Sequence, residues 1–508
     1  MNTFSLKLGL LIIALSSLPL SAKKKKMFPE IENFIQESQI NNGHILLKSS
    51  LSYTVPLPAE LDNFKKITEE VFVNLVNDNH PDIIQAKLDR QSALAQRIEA
   101  QGAFDPSLSA DGFYNRFNSS SAIGDVQEAF TSNTSINWLS GYGAKFSLGS
   151  KLALGDIKTP LSPTGDAGEY FLKLQVPLLR NAIYNEQNVK EQQAKIKETI
   201  ADFKLNQKKL EILSKSIQKY WFWIGAFQKL VAEQRLFKLN SEQAKQVEEQ
   251  VKYGSLANID HIEILREVQK RRGKVATETA SYQQKAIELT SFLWKDNGEP
   301  YPIASSKNIP EIDLLTLNYQ EPDILEAKLT ALEKRPEFKS LNKFKEVVDW
   351  NRKFAKNQYL PELNAYGYQG VEVGGGSIGP TTQAGIELML PFRNRRASGK
   401  LQQAKIDMSK LNVQEKQLAQ FVFLEVENAS QILKNSYDAY QAAKEELGFA
   451  EKLAIGEKDK FDLGSSTIFL VIRRQRSLVD AQINLIESFT NFHIAKVNFK
   501  FSQGLLQI

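Results

Sequence analysis

The chain has 508 residues, 42% of them hydrophobic and 24% charged, a balance that excludes a disordered polyelectrolyte and a bundle of membrane-spanning helices. Its 64 basic and 59 acidic residues leave a formal charge of +5, which gives little reason to expect nucleic acid as a partner. Cysteine is absent, which removes disulfides, thiolate metal sites, cysteine nucleophiles and lipidated-cysteine anchors.

Residues 1–22 begin with Lys7 ahead of an apolar run from Leu8 to Leu15 and end at Pro19-Leu20-Ser21-Ala22, the pattern of a secretory signal with a small residue at the cut. The run is shorter than the roughly 20 residues that a membrane helix needs. Residues 23–67 form an N-terminal extension without clear pattern, and Lys23 to Lys26 read as a solvated tail. Beyond Ala22 no apolar stretch reaches membrane-helix length, so an exported chain of this kind is either soluble or spans a membrane as strands.

A first structural repeat is expected over 68–296. It opens with a helix, and Asp105-Pro106-Ser107-Leu108 leads into alternating segments, Ser107–Phe117, Ser135–Leu139, Lys145–Leu154 and Glu169–Val176, which predict β-strands within 107–178. From 182 to 250 there is no proline, and Val189, Ile196, Phe203, Leu210, Ile217, Ile224 and Val231 recur every seventh residue, flanked by Leu213, Tyr220 and Phe227. That is a coiled-coil seam, on a helix about 100 Å long at 1.5 Å per residue. Tyr253-Gly254-Ser255 predicts a turn and 258–294 a return helix. The Trp221-Phe222-Trp223 run, mid-helix, reads as packing. Residues 297–320 read as a linker, flexible over Asn297 to Asn318.

A second repeat is expected over 321–508 in the same order. After a helix, Leu360-Pro361-Glu362-Leu363 opens a β-hairpin over 361–391, its strands joined through Gly374-Gly375-Gly376-Ser377. A long helix over 397–462 carries Ala419, Val426, Leu433, Tyr440, Leu447, Ala454 and Phe461 at seven-residue spacing, and Leu463-Gly464-Ser465 turns into a return helix over 467–504. Gly254 follows Pro177 by 77 residues and Gly464 follows Pro391 by 73, as duplication would give. Phe113, Tyr114, Phe117, Trp138, Tyr142, Tyr366 and Tyr368 fit the aromatic girdle of a membrane barrel, and a soluble antiparallel sheet equally well. Two or four strands beside helices of this length cannot close a barrel or cover their own edges. Several chains must contribute, which predicts a mainly α fold with a shared β-barrel part continued by a helical tube.

The order of these landmarks resembles the TolC-like outer-membrane efflux protein family. The likeness rests on Lys334-Arg335-Pro336-Glu337, Leu360-Pro361-Glu362-Leu363, Leu390-Pro391-Phe392-Arg393-Asn394, Gly464-Ser465-Ser466-Thr467 and Asp480-Ala481-Gln482. Gln175-Val176-Pro177-Leu178-Leu179-Arg180-Asn181 and Gly254-Ser255-Leu256-Ala257-Asn258-Ile259-Asp260 echo them in the first copy. Each fragment is weak alone; their order over 68–508 is specific. The resemblance implies a homotrimer with one shared barrel in the outer membrane of a Gram-negative-type bacterium, and a long periplasmic α-helical coiled-coil barrel below it. It implies no enzyme activity and no cofactor or metal. It implies an exit duct for a tripartite efflux or type I secretion system, whose partners are a periplasmic adaptor (membrane fusion) protein, an inner-membrane transporter and outer-membrane lipid. A trimer would hold twelve strands with two per repeat, or eighteen with four in the first. Twelve is slightly favoured, with the extra hairpin outside the membrane.

By the same resemblance, Gly254, Ser255, Leu256, Gly464, Ser465 and Ser466 are the periplasmic tip that meets the adaptor; a plain helix reversal explains the glycines equally well. Where family members often place acidic residues after the second tip, this chain has Leu470 and Arg473, followed by Arg474 and Arg476, while Asp260 and Glu263 stand in the first copy. The expectation is a gate in which Arg473 pairs with Glu263 or Asp260 across neighbouring helices; charges on a solvated helix end are the plainer reading. Pro177 with Arg180 and Pro391 with Arg393 mark the barrel-to-helix junction, where proline ends a strand and enters a helix without wasting a donor. Their arginines, with Arg395 and Arg396, either reach lipid headgroups or line the lumen.

Two rivals are weaker. His44, His80, His261 and His493 are scattered, no HExxH, GxSxG or Walker motif occurs, and Gly370 to Gly379 leads into a strand without a phosphate-binding lysine, so an enzyme is not indicated. A periplasmic coiled-coil scaffold or adaptor without a channel explains the heptads and the signal, but not the strands in both halves.

Overall fold

A computed structural model describes residues 66–118, 126–155, 164–374 and 380–506. The expected signal segment, all of the extension up to residue 65, and the hairpin connection beyond Gly374 lie outside them.

The first half opens with α1 (Glu69–Asn79) and α2 (Pro81–Gln101). The Thr68 hydroxyl caps α1, and His80 Nδ1 caps α2 ahead of Pro81, whose missing N–H costs nothing in a first turn. Strands β1 (Ser107–Asn118), β2 (Val126–Leu139), β3 (Lys145–Gly155) and β4 (Glu169–Pro177) follow, then α3 (Glu186–Lys252) and α4 (Asn258–Thr290). The second half follows with α5 (Ile324–Lys334), α6 (Pro336–Asn357), β5 (Glu362–Glu372), β6 (Pro380–Met389), α7 (Arg395–Asp462) and α8 (Ile468–Ser502), two strands where the first half has four.

All six strands form one antiparallel sheet in sequence order, and β4 pairs β5 from Glu169↔Glu372 to Pro177↔Asn364. The expected set-aside hairpin is therefore not what forms: β1 and β2 continue the same sheet, and their register with β3 is unbroken from Ala129↔Gly155 to Leu139↔Lys145. The reason is the pleat, since matched alternation on adjacent strands lets one face stay continuous.

Helices α3 and α7 have 67 and 68 residues, each about 100 Å at the usual rise. The predicted seams face inward: Val189, Leu210, Ile217 and Ile224 are buried on α3, and Val426, Leu433, Tyr440 and Leu447 on α7. The largest core lies midway along the helices, where Tyr220, Trp221 and Trp223 meet Tyr440 of α7, Phe489 of α8, Leu289 of α4 and Phe72 of α1. The segment 297–320, expected to be flexible, is a packed strap instead. Ala304 and Ile309 are buried in that core, the Ile67 amide donates to the Asn308 carbonyl at 2.7 Å, and the Tyr440 hydroxyl donates to the Leu314 carbonyl at 3.0 Å. Its apolar residues are spaced without period, so only the waiting core reveals their role.

His493 of α8 stacks on Trp221 with centroids 3.7 Å apart and lies 4.6 Å from the Phe489 ring. Burial, with Lys496 adding to it, pushes its pKa down from 6.5 to about 4. Between those values the unfolded chain binds the proton and the folded one does not, so stability is full above pH 6.5 and declines as pH falls towards 4. The expected loss over that window is about 3 kcal/mol per chain. Unfolding midpoints measured from pH 7 to pH 4 should show it, and His493→Phe should flatten that part of the profile.

Candidate functional site

The register assigns every strand residue to one of two faces. On one face Leu108, Ile136, Leu148 and Leu172 form a row across β1 to β4, and Trp138, Phe146 and Leu174 form another. Ala365 beside Ile386 and Leu363 beside Leu388 extend that face over β5 and β6. Polar positions on that face include small Ser and Thr residues and paired groups, with Arg116 3.5 Å from Glu128 and Thr382 bonded to Gln369 at 2.8 Å. The opposite face carries Asn137, Ser147, Lys173, Tyr368 and Gln383 in a single row. Hydrogen bonds knit it, from the Ser147 hydroxyl to Asn137 Oδ1 at 2.7 Å and from Gln175 Nε2 to the Tyr366 hydroxyl at 3.3 Å. The aromatic expectation divides accordingly. Tyr114 and Trp138 lie on the apolar face, Phe113, Tyr366 and Tyr368 on the polar one, and Tyr142 in the β2–β3 turn.

At the helix end of the sheet, Pro177 closes β4, and the backbone pairing continues through the Leu178 amide to the Leu363 carbonyl at 2.7 Å. Arg180 Nε donates to Gln358 Oε1 at 3.0 Å, and its guanidinium lies 3.7 Å from Glu362. Asn181 adopts φ 65°, the left-handed region that Asn tolerates, fixed by its amide donating to Asn357 Oδ1 at 2.8 Å. Pro391 and Arg393 lie exposed between β6 and α7. The predicted junction residues thus come together, around a hollow of about 540 Å³ against the polar face.

The two tips have one construction. Gly254 and Gly464 take φ 76° and 74°. Their amides donate to the Val251 and Phe461 carbonyls, while Ser255 and Ser465 donate five residues back to Gln250 and Lys460. Both ends are Schellman motifs, in which the left-handed residue suits glycine. Ile264 of α4 packs with Ile468, Val471 and Ile472 of α8, joined by half-buried Leu256 and Phe461, so the two tips share one apolar cluster.

The charged residues beyond the tips are distributed differently from expectation. Within the chain, Asp260 accepts from the Ala257 amide at 3.3 Å, Glu263 pairs with Arg266 at 2.6 Å, and exposed Arg473 makes no ion pair among the described residues. Arg474 sits 3.6 Å from Glu457. Arg476 instead reaches Glu267 at 2.5 Å and joins a buried network absent from the sequence reading. There Arg271 donates to Glu267 at 2.9 Å on its own helix and to Glu233 of α3 at 3.1 Å, with all three side chains no more than 3% exposed. Burial would raise the Glu267 carboxyl, but hydrogen bonds from Arg476 and Arg271 outweigh it and hold the group below its ordinary value. The only signal in the sequence was the four-residue spacing of Glu267 and Arg271, which is common on solvated helices.

No helix among the described residues is long and apolar enough to cross a membrane, and no cluster of candidate metal ligands occurs among them. No protein-family model and no curated protein matches the sequence. Solved structures do match. The outer membrane protein VceC of Vibrio cholerae shares 12% identity, with 87% of this chain and 97% of that one covered at a TM-score of 0.62. The open-state MtrE outer membrane channel of Neisseria gonorrhoeae shares 13%, covering 86% and 88% at 0.61. The CmeC outer membrane channel of Campylobacter jejuni shares 14%, covering 90% and 92% at 0.58. By fold the chain stands with these outer-membrane channels, and the resemblance read from its motifs is borne out at that level.

Proposed function

We propose that three copies of this chain form a passive outer-membrane duct, eighteen strands around, continued by a periplasmic tube of helices. The observation that carries it is the two-faced sheet with open edges at β1 and β6. Lipid offers backbone groups no hydrogen bonds, so strand edges within a membrane must be paired by protein, and six strands are fewer than the eight of the smallest barrels. Strand β1 runs away from the helices and β6 returns towards them, so β6 of one copy meets β1 of the next in the antiparallel sense that a closed barrel uses. An apolar stripe on α7, including Val413, Phe421, Leu424 and Phe449, is exposed in the single chain, as expected of a face that a neighbouring copy covers.

In this reading the chain is exported by its signal segment, its two halves descend from a duplication, and it works without cofactor as the exit of a tripartite efflux or type I secretion system. The tips at Gly254 to Leu256 and Gly464 to Ser466 meet a periplasmic adaptor, which links them to an inner-membrane transporter. Arg473, which has no ion pair among the described residues of its own chain, pairs across copies with Glu263 or Asp260 and holds the resting tip closed.

Electron imaging of particles extracted from the outer-membrane fraction tests the duct. A threefold tube reaching about 100 Å beyond the micelle is expected, whereas a soluble rod without that symmetry would leave the periplasmic scaffold as the better account. On the same preparation, Arg473→Glu should raise single-channel conductance; an unchanged value removes the gate.

A further inference from the structure

The hollow at the barrel-to-helix junction is lined by five cationic side chains, Lys145, Arg180, Arg393, Arg396 and Lys400, against two carboxylates, Glu186 and Glu362. Both carboxylates already have partners. Glu362 lies 3.7 Å from Arg180, and Glu186 pairs at 2.8 Å with Lys190, which does not line the hollow. Lys145, Arg393, Arg396 and Lys400 have no carboxylate within ion-pair distance among the described residues. Every strand residue of the lining, Leu139, Lys145, Gln175, Pro177, Glu362 and Asn364, belongs to the polar face of the sheet. Helix α7 starts here with no side chain capping its first amides, which adds the positive end of a 100 Å helix to the same space.

We infer that this collar, repeated in each copy, selects for anions at the entrance to the barrel, so that the duct favours carboxylate- or phosphate-bearing solutes. The inference rests on the channel reading above. Fixed cations in a concave, low-dielectric mouth concentrate counter-ions there, and Arg393, Arg396 and Lys400 are exposed, free to meet a passing solute.

The test is the reversal potential of the full-length protein in a neutral phosphatidylcholine bilayer under a tenfold KCl gradient, with inorganic pyrophosphate as a blocking probe. The wild-type channel should prefer chloride. Combining Arg393→Gln, Arg396→Gln and Lys400→Gln should lower the chloride-to-potassium permeability ratio by about threefold or more and weaken the pyrophosphate block. Arg395→Gln, one residue outside the hollow, should change neither. Lys145→Gln with Lys400→Gln gives the same readout if the triple variant fails to insert. Conductance steps with an unaltered reversal potential overturn the collar and leave the channel standing. A shift seen only in phosphatidylglycerol bilayers, and equally with Arg395→Gln, overturns it in favour of headgroup contacts. Absence of any conductance removes the channel reading and the collar together.

Discussion

Arg271→Met should lower the stability of the folded chain by about 3–5 kcal/mol. Arg271 is 2% exposed and is the one cation within reach of Glu233 among the described ion pairs, while Glu267 keeps Arg476. Removing the guanidinium leaves a carboxylate buried on α3 without a partner, and that penalty exceeds the modest net worth of the intact pair. Because the network joins α3, α4 and α8, the loss should appear in unfolding of the helical part, read by circular dichroism against denaturant. Adding Glu233→Leu to Arg271→Met should recover much of it, since the stranded charge is then gone. A loss below about 1 kcal/mol for the single variant would mean that the site is wetter than its geometry indicates.

Leu148→Arg should sharply reduce the amount of assembled protein in the outer-membrane fraction. Leu148 sits between Ile136 and Leu172 on the apolar face and is 60% exposed in the single chain. In the proposed trimer an arginine there costs about 2–4 kcal/mol per copy near the middle of the bilayer, and three copies multiply it. Gln383→Arg, on the polar face of β6, places the same side chain towards water and should leave assembly at the wild-type level. Equal recovery of the two variants would contradict the assignment of the apolar face to lipid.

The helical part was largely legible because its signals are local. Seven-residue spacing selects one face over many turns, and the glycine reversals at Gly254 and Gly464 need a left-handed residue that the sequence supplies directly. Those expectations differ from the structure by a few residues, as with 182–250 against Glu186–Lys252. Strand β2 was only partly visible, from Ser135, although it begins at Val126. Around Ser132 and Thr134 small polar residues occupy the apolar face, so the alternation that marks a strand is lost there.

What the sequence determined by itself is therefore what neighbours along the chain decide: two long helical hairpins, their turns, and alternating strands suited to a surface with one apolar side. Tertiary structure decided what depends on residues far apart. Pairing of β4 with β5, nearly 200 residues away in Phe171↔Gly370, makes six strands one sheet rather than a sheet and a spare hairpin. Meeting of three helices turns Glu233, Glu267 and Arg271 from ordinary surface charges into a buried network, and convergence of β3, α3 and α7 gathers Lys145, Arg396 and Lys400 around one hollow. Local periodicity carries no information on such pairings, because burial and electrostatic environment are set by which segments the fold brings together.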